Sequence, residues 1–189
     1  MNRMSLRLFR STGYHSILAP GETRVAPHPG WAMLAASAWI GFACNVWLWQ
    51  VLLGRSAEWA SSLCAGIVVA SGCGFALSLA GWRRTLKPVA TLLLLAGAWL
   101  SAGIWSHGLG MQAAAAARPL ALFPSWVALL GWQVPMLLFV LGVVPVLWLW
   151  NAQLRRLSGP EQLRVNLGGM ALSALCGVLG WVGFSGAMA

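Results

Sequence analysis

Five long apolar runs, separated by short polar segments, dominate the sequence after residue 30. They cover approximately residues 31–53, 59–81, 88–106, 124–150 and 165–187. An α-helix rises about 1.5 Å per residue, so about 20 apolar residues cross the hydrocarbon core of a bilayer. Each run is near or above that length. The pattern therefore predicts an all-α membrane protein, a bundle of about five transmembrane helices, and the prolines of run 124–150 predict a kink there.

The basic residues between the runs predict the orientation of the bundle. Residues 1–30 form a basic segment, which we expect to be cytoplasmic, and residues 31–189 then form the transmembrane domain. With the N-terminus inside, ten of the twelve Lys and Arg residues lie on the cytoplasmic side, as the positive-inside rule requires. We therefore expect a multi-pass protein of the bacterial inner membrane, with a periplasmic C-terminus and an outer loop at residues 107–123.

The composition supports the membrane assignment and argues against a nucleic-acid partner. Hydrophobic residues make up 59% of the chain and charged residues only 8%, whereas soluble domains carry about 25% charged residues. The formal net charge is +9, but the basic residues are spread between apolar runs and do not form one basic face. We expect them to lie beside anionic lipid headgroups.

Groups that carry chemistry inside a membrane are scarce in this sequence. There is no Asp, and the carboxylates are Glu22, Glu58 and Glu161. More buried charge would be needed for a proton relay, an ion pathway or a carboxylate metal site. The sequence also lacks the internal repeat that is typical of many transporters. The four cysteines lie inside apolar runs without a CxxC pair, which favours a packing role over a disulfide or metal site.

Two polar residues of the outer loop are candidates for contact with a lipid. His107 follows the third run. The simpler interpretation is a solvated residue at the membrane interface, and the alternative is a residue that contacts a ligand. Arg118 is the cation of the loop, and it could bind a lipid phosphate or simply extend towards the headgroups.

Small residues recur every four positions in the last run, at Gly169, Ser173 and Gly177. Such a stripe lets two helices approach closely. Packing within the five-helix bundle explains it, and a dimer face is the alternative.

Three local segments resemble the N-terminal membrane domain of the lipid A phosphoethanolamine transferases, the family that includes the mobile colistin-resistance enzymes. Asn45–Leu53 is similar to the Asn-x-Pro-Phe-Trp-x-x-Leu-Leu end of that family's first helix. Trp82–Pro88 contains the Leu-Lys-Pro step that opens its third helix, and Gly142–Trp148 resembles a Gly-Val-Leu-Pro segment of its fourth. The order of these segments and the five-helix plan extend the resemblance over about residues 20–189.

The resemblance implies a domain that anchors a periplasmic catalytic domain and helps to present phosphatidylethanolamine to it. The family's outer segment contains a Met-x-Gln-Asn step and acidic residues. Here Met111 and Gln112 remain, alanines follow, and the acidic residues are missing. Gln112 thereby joins His107 and Arg118 as a predicted headgroup contact.

The family's threonine nucleophile and zinc ligands belong to a soluble domain that would begin near Ala189. We therefore expect no catalytic residue, no metal ligand and no cofactor in this chain, with zinc confined to that separate domain. A split gene, a remnant and a fragment remain open as origins. The alternative function is a non-enzymatic helical bundle that assembles with a partner membrane protein or a lipid.

Overall fold

The computed structural model describes residues 28–54, 58–82, 84–118, 122–152, 154 and 157–188. The structure is 83% helical and contains no strand among these residues, which confirms the predicted all-α class. Most of the predicted cytoplasmic segment 1–30 lies outside the described residues.

Nine α-helices and two π-helical turns make up the described chain. In chain order they are α1 (Pro29–Ala38), a π turn (Trp39–Ala43), α2 (Val46–Leu52), α3 (Trp59–Leu79), α4 (Leu86–His107), α5 (Met111–Ala116), α6 (Trp126–Leu130), α7 (Gln133–Leu138), a second π turn (Phe139–Val143), α8 (Val144–Asn151) and α9 (Gly159–Met188).

Four helical segments of the described chain are long and apolar enough to cross a membrane. They are Trp59–Leu79, Leu86–His107, Gln133–Asn151 and Gly159–Ala187. A fifth crossing is formed if the bent pair Pro29–Ala43 and Val46–Leu52 is one span. The prediction of about five spanning helices is thus confirmed in number, and the protein is a membrane protein.

The first span bends by 58° at Cys44–Asn45. A bend inside a membrane is tolerated only if the freed backbone groups find partners. The Asn45 carboxamide accepts a hydrogen bond from the Leu48 N–H at 3.1 Å and donates one to the Ser62 carbonyl at 2.8 Å. The Ser101 hydroxyl donates to the Cys44 carbonyl, so α3 and α4 both hold the bend.

The fourth span contains the second irregularity, at the π turn that precedes Pro145. Proline has no N–H, so it cannot donate to the carbonyl four residues earlier, which is Leu141. The Trp39 ring N–H donates to that carbonyl at 3.1 Å instead. The irregular parts of the first and fourth spans therefore meet each other.

The spans pack in the lateral order α9, α3, α1–α2, α4 and α7–α8. The first span lies in the middle, and its Met33, Ala36 and Ile40 belong to the main buried cluster with Leu77 of α3 and Leu94 of α4. The outermost spans are the least covered: only 6% of the apolar window of Gly159–Ala187 is buried. A membrane must therefore cover most of α9.

The small-residue stripe of α9 faces α3. A Cβ atom at Gly177 would lie 2.9 Å from the Ser71 hydroxyl, and one at Gly169 would lie 2.5 Å from the Ser78 hydroxyl. Ser173 lies between these contacts, against Gly74. The stripe is thus occupied within the bundle, and a second copy could not use the same contacts.

Polar contacts join the helix ends at the end of the bundle opposite His107. The Lys87 ammonium donates to the carbonyls of Trp150 and Ala152 at the end of α8, at 3.2 and 2.9 Å. The Gln162 amide donates to the Gly81 carbonyl after α3 at 2.7 Å. Side chains thus supply donors to carbonyls that a helix end leaves without an intrahelical partner.

Candidate functional site

The site that contains the predicted polar residues lies at the end of the bundle where α4 finishes. His107 is the last residue of α4, and Gly108 follows in the left-handed conformation with φ +62°. The Leu109 N–H then donates to the Ile104 carbonyl at 3.3 Å. Glycine suits this position because it adopts positive φ without a steric penalty, and the turn directs the chain away from the helix.

One face of α4 contacts the later segment Leu122–Pro124, which packs back against this helix. Trp99, Gly103 and His107 are spaced by four residues and therefore share one helix face. The backbone of Leu122 contacts Gly103 so closely that no side chain fits there. The His107 Nε2 atom lies 3.0 Å from the Phe123 carbonyl oxygen, in hydrogen-bonding contact.

The Phe123 ring adds an apolar contact to this anchor. It meets Trp99 edge-on, with ring centroids 6.4 Å apart and an angle of 75° between the planes. A backbone contact, a hydrogen bond and an aromatic pair therefore fix one short segment along α4. Sequence reasoning missed this arrangement, and the available signal was the Trp99, Gly103, His107 spacing.

The anchored segment leads directly into α6, where the side chains of Trp126, Val127 and Leu130 are largely exposed. Ser125 begins the helix by accepting a hydrogen bond from the Ala128 N–H at 3.2 Å. Trp126 is 85% exposed and Leu130 is 89% exposed, and Val127 and Trp132 are similar. In a membrane protein such a short apolar helix is suited to the boundary between headgroups and acyl chains.

The three predicted headgroup contacts lie around this anchor, but no described contact joins them. His107 is exposed and bonds to Phe123, so it has a structural role beside any ligand role. Gln112 lies on α5, and its side chain is outside the described residues. Arg118 is exposed just after α5.

The first span also contacts this region. The Trp47 ring N–H donates to the Leu109 carbonyl at 3.4 Å, which ties α2 to the turn after α4. Because α2 follows the bend at Asn45, the bend brings Trp47 to this turn. The segment Asn45–Leu53 therefore helps to hold the His107 end together.

The chemistry available at this end is that of an imidazole, a guanidinium and an apolar helix surface. Among the described residues, no three His, Cys, Asp or Glu side chains are placed to hold a metal ion. What the arrangement does offer is an exposed imidazole, an exposed guanidinium and an apolar helix, a combination suited to a phosphate group above acyl chains.

No model of a known protein family matches this chain, and neither the curated proteins nor the solved structures contain a match to it.

Proposed function

We propose that this chain is an inner-membrane domain, with a cytoplasmic N-terminus and a periplasmic C-terminus, that anchors and presents lipid to a phosphoethanolamine-transferring catalytic domain. The three local resemblances and the five-span plan support this proposal. The distribution of basic residues supports the orientation, because it places the His107 end in the periplasm.

The anchored helix α6 is the observation that carries the proposal. Its exposed Trp126 and Leu130 suit the lipid interface, and the bond between His107 and Phe123 fixes its position relative to the bundle. An anchored interfacial helix at the same end of the bundle as Arg118 would keep a phospholipid headgroup at a defined height. Phosphatidylethanolamine is the lipid that the family resemblance implies.

The transfer chemistry would belong to a periplasmic domain outside these 189 residues. That domain would supply the threonine nucleophile and the zinc ligands. In this chain, His107, Gln112 and Arg118 would contact the headgroup, and α6 would support the acyl chains.

Deletion of the gene in its native host tests the proposal. We expect lipid A to lose its phosphoethanolamine, as measured by mass spectrometry, and plasmid-borne wild-type protein to restore it. Arg118→Ala should restore it only in part, whereas Arg118→Lys should restore most of it because the positive charge remains. Lipid A that is unchanged by the deletion would contradict the transferase role.

An N-terminal tag at the native locus identifies where the catalytic part resides. A band near 20.1 kDa on an immunoblot would mean that a separate polypeptide supplies it. A much larger band would place the catalytic domain on the same polypeptide.

The second candidate is a non-enzymatic bundle that assembles with a lipid or a partner membrane protein. A groove of about 300 Å³ lined by residues of α1, α3 and α9 favours a lipid. The stripe of Gly169, Ser173 and Gly177 does not favour a partner, because α3 already occupies it.

A further inference from the structure

A groove of about 300 Å³ lies between α1, α3 and α9. Its floor is α3, where Ala70, Ser71, Gly74 and Ser78 are too small to fill the space. The walls are α1 and α9, which both pack against α3 but make few contacts with each other. Leu34 and Leu172 line the two walls and are half exposed, so the groove opens sideways, towards the membrane.

The surface of the groove suits an apolar occupant. Its lining is mostly apolar, and three of its hydroxyls already donate to carbonyls of their own helices. Ser37 donates to Leu34 at 3.0 Å, Ser71 to Val68 at 2.8 Å, and Ser78 to Gly74 at 2.8 Å. Because these hydroxyls already donate their hydrogens, they need no acceptor from the occupant. A hydrocarbon chain would therefore leave their hydrogen bonds intact.

The depth of the groove matches one leaflet of a bilayer. Its lining runs from Ile67 to Ser78 on α3 and from Val165 to Cys176 on α9. Eleven residue steps of an α-helix span about 16 Å. Half of the hydrocarbon core of a bilayer is about 15 Å thick. The groove therefore extends from one membrane surface to near the midplane.

A cation lies at the same end of α9 as the surface end of the groove. Arg164 precedes Val165 and is exposed, and Gly30 at the start of α1 lines the same end. The nearby carboxylate, Glu161, accepts a hydrogen bond from the Ser158 N–H at 3.2 Å. An arginine at the lipid surface suits a phosphate group.

We propose that the groove holds one acyl chain of a membrane phospholipid, with its phosphate beside Arg164 and its chain end near Phe42 and Cys176. This site lies at the opposite end of the spans from His107. It does not depend on the transferase proposal, and it would be occupied whether or not the chain serves a catalytic domain.

Photo-crosslinking in vesicles tests this site. The purified full chain is reconstituted with phosphatidylethanolamine and phosphatidylglycerol, plus a trace of phosphatidylethanolamine that carries a diazirine on one acyl chain. With the diazirine at the chain end, we expect adducts at Phe42, Ile67 and Cys176. With the diazirine next to the ester, we expect adducts at Gly30 and Val165, mapped by peptide mass spectrometry.

A matched pair of variants separates the groove from general lipid contact. Leu172 lines the groove and is 58% exposed, whereas Leu175 is 59% exposed on the same helix but does not line it. Leu172→Trp should block the opening and reduce the groove adducts several-fold, and Leu175→Trp should leave them unchanged. Leu34→Trp blocks the opening from α1 and provides a second variant if Leu172→Trp fails to fold.

Two results would overturn the proposal. Groove adducts that persist at full yield in folded Leu172→Trp or Leu34→Trp protein would mean that the lipid contacts only the outer surface. Loss of the groove adducts at a high protein-to-lipid ratio, where gel filtration shows a dimer, would mean that a second copy fills the groove. Helical content and gel filtration verify that each variant is folded.

Discussion

At the scale of single residues, tryptophan side chains donate hydrogen bonds to carbonyls at places where the backbone departs from a regular helix. Pro145 removes the donor for Leu141, and the Trp39 ring N–H replaces it from another span. The Ala43 carbonyl, next to the bend in the first span, accepts the Trp49 ring N–H at 2.8 Å. These two tryptophans thus stabilise the protein through their ring N–H groups, as Trp47 does at the turn after α4.

The Trp39 bond predicts a rescue experiment. Trp39→Phe should lower the free energy of unfolding by about 1 kcal/mol, because the Leu141 carbonyl loses a donor inside the membrane. Pro145→Ala restores a backbone N–H at that place, so the double variant should lose less stability than the sum of the two single variants. Denaturant titration in bicelles measures this. Strictly additive losses would show that the Trp39 bond does not compensate for the N–H that Pro145 lacks.

The close approach at Gly103 predicts a second effect. Gly103→Ala should cost about 1–3 kcal/mol, because the added methyl group displaces the backbone at Leu122. Gly72 is the matched control, since it is also helical but a Cβ atom there meets nothing within 4 Å. Gly72→Ala should therefore be neutral or stabilising by up to about 1 kcal/mol. Equal effects on the unfolding titration would contradict the anchor at Gly103.

At the scale of helices, hydropathy predicts the part of each helix that lies in the membrane but not where the helix ends. The second run, 59–81, is nearly the helix Trp59–Leu79. The fifth run begins at residue 165, whereas α9 begins at Gly159. The added turns contain Glu161 and Gln162, which form helix readily but carry polar groups that an apolar pattern excludes. The helix therefore begins about six residues before the apolar run.

Breaks inside a span were harder to predict than its presence. The kink predicted for run 124–150 is resolved as a separate helix, Trp126–Leu130, followed by a span that starts at Gln133. The bend at Asn45 was not predicted, because its partners Ser62 and Ser101 lie on other helices. The contact between Gly103 and Leu122 was missed for the same reason, since residues nearly 20 positions apart give no local pattern.

At the scale of the whole molecule, two surfaces lie at opposite ends of the spans. The His107 end carries α6 and the three predicted headgroup residues, and the groove beside Arg164 opens at the other end of the spans. The positive-inside rule assigns the first surface to the periplasm and the second to the cytoplasmic leaflet. The proposed lipid presentation therefore depends on this orientation, whereas an acyl chain is available to the groove in either leaflet.

Labelling of single cysteines in intact cells tests that orientation most directly. Gly110 follows α4, and Ser158 precedes α9, and both are exposed. With the four native cysteines replaced by alanine, Gly110→Cys should react with a membrane-impermeant maleimide from outside. Ser158→Cys should react only after the inner membrane is permeabilised. The reverse pattern would place the His107 end in the cytoplasm and contradict periplasmic lipid presentation.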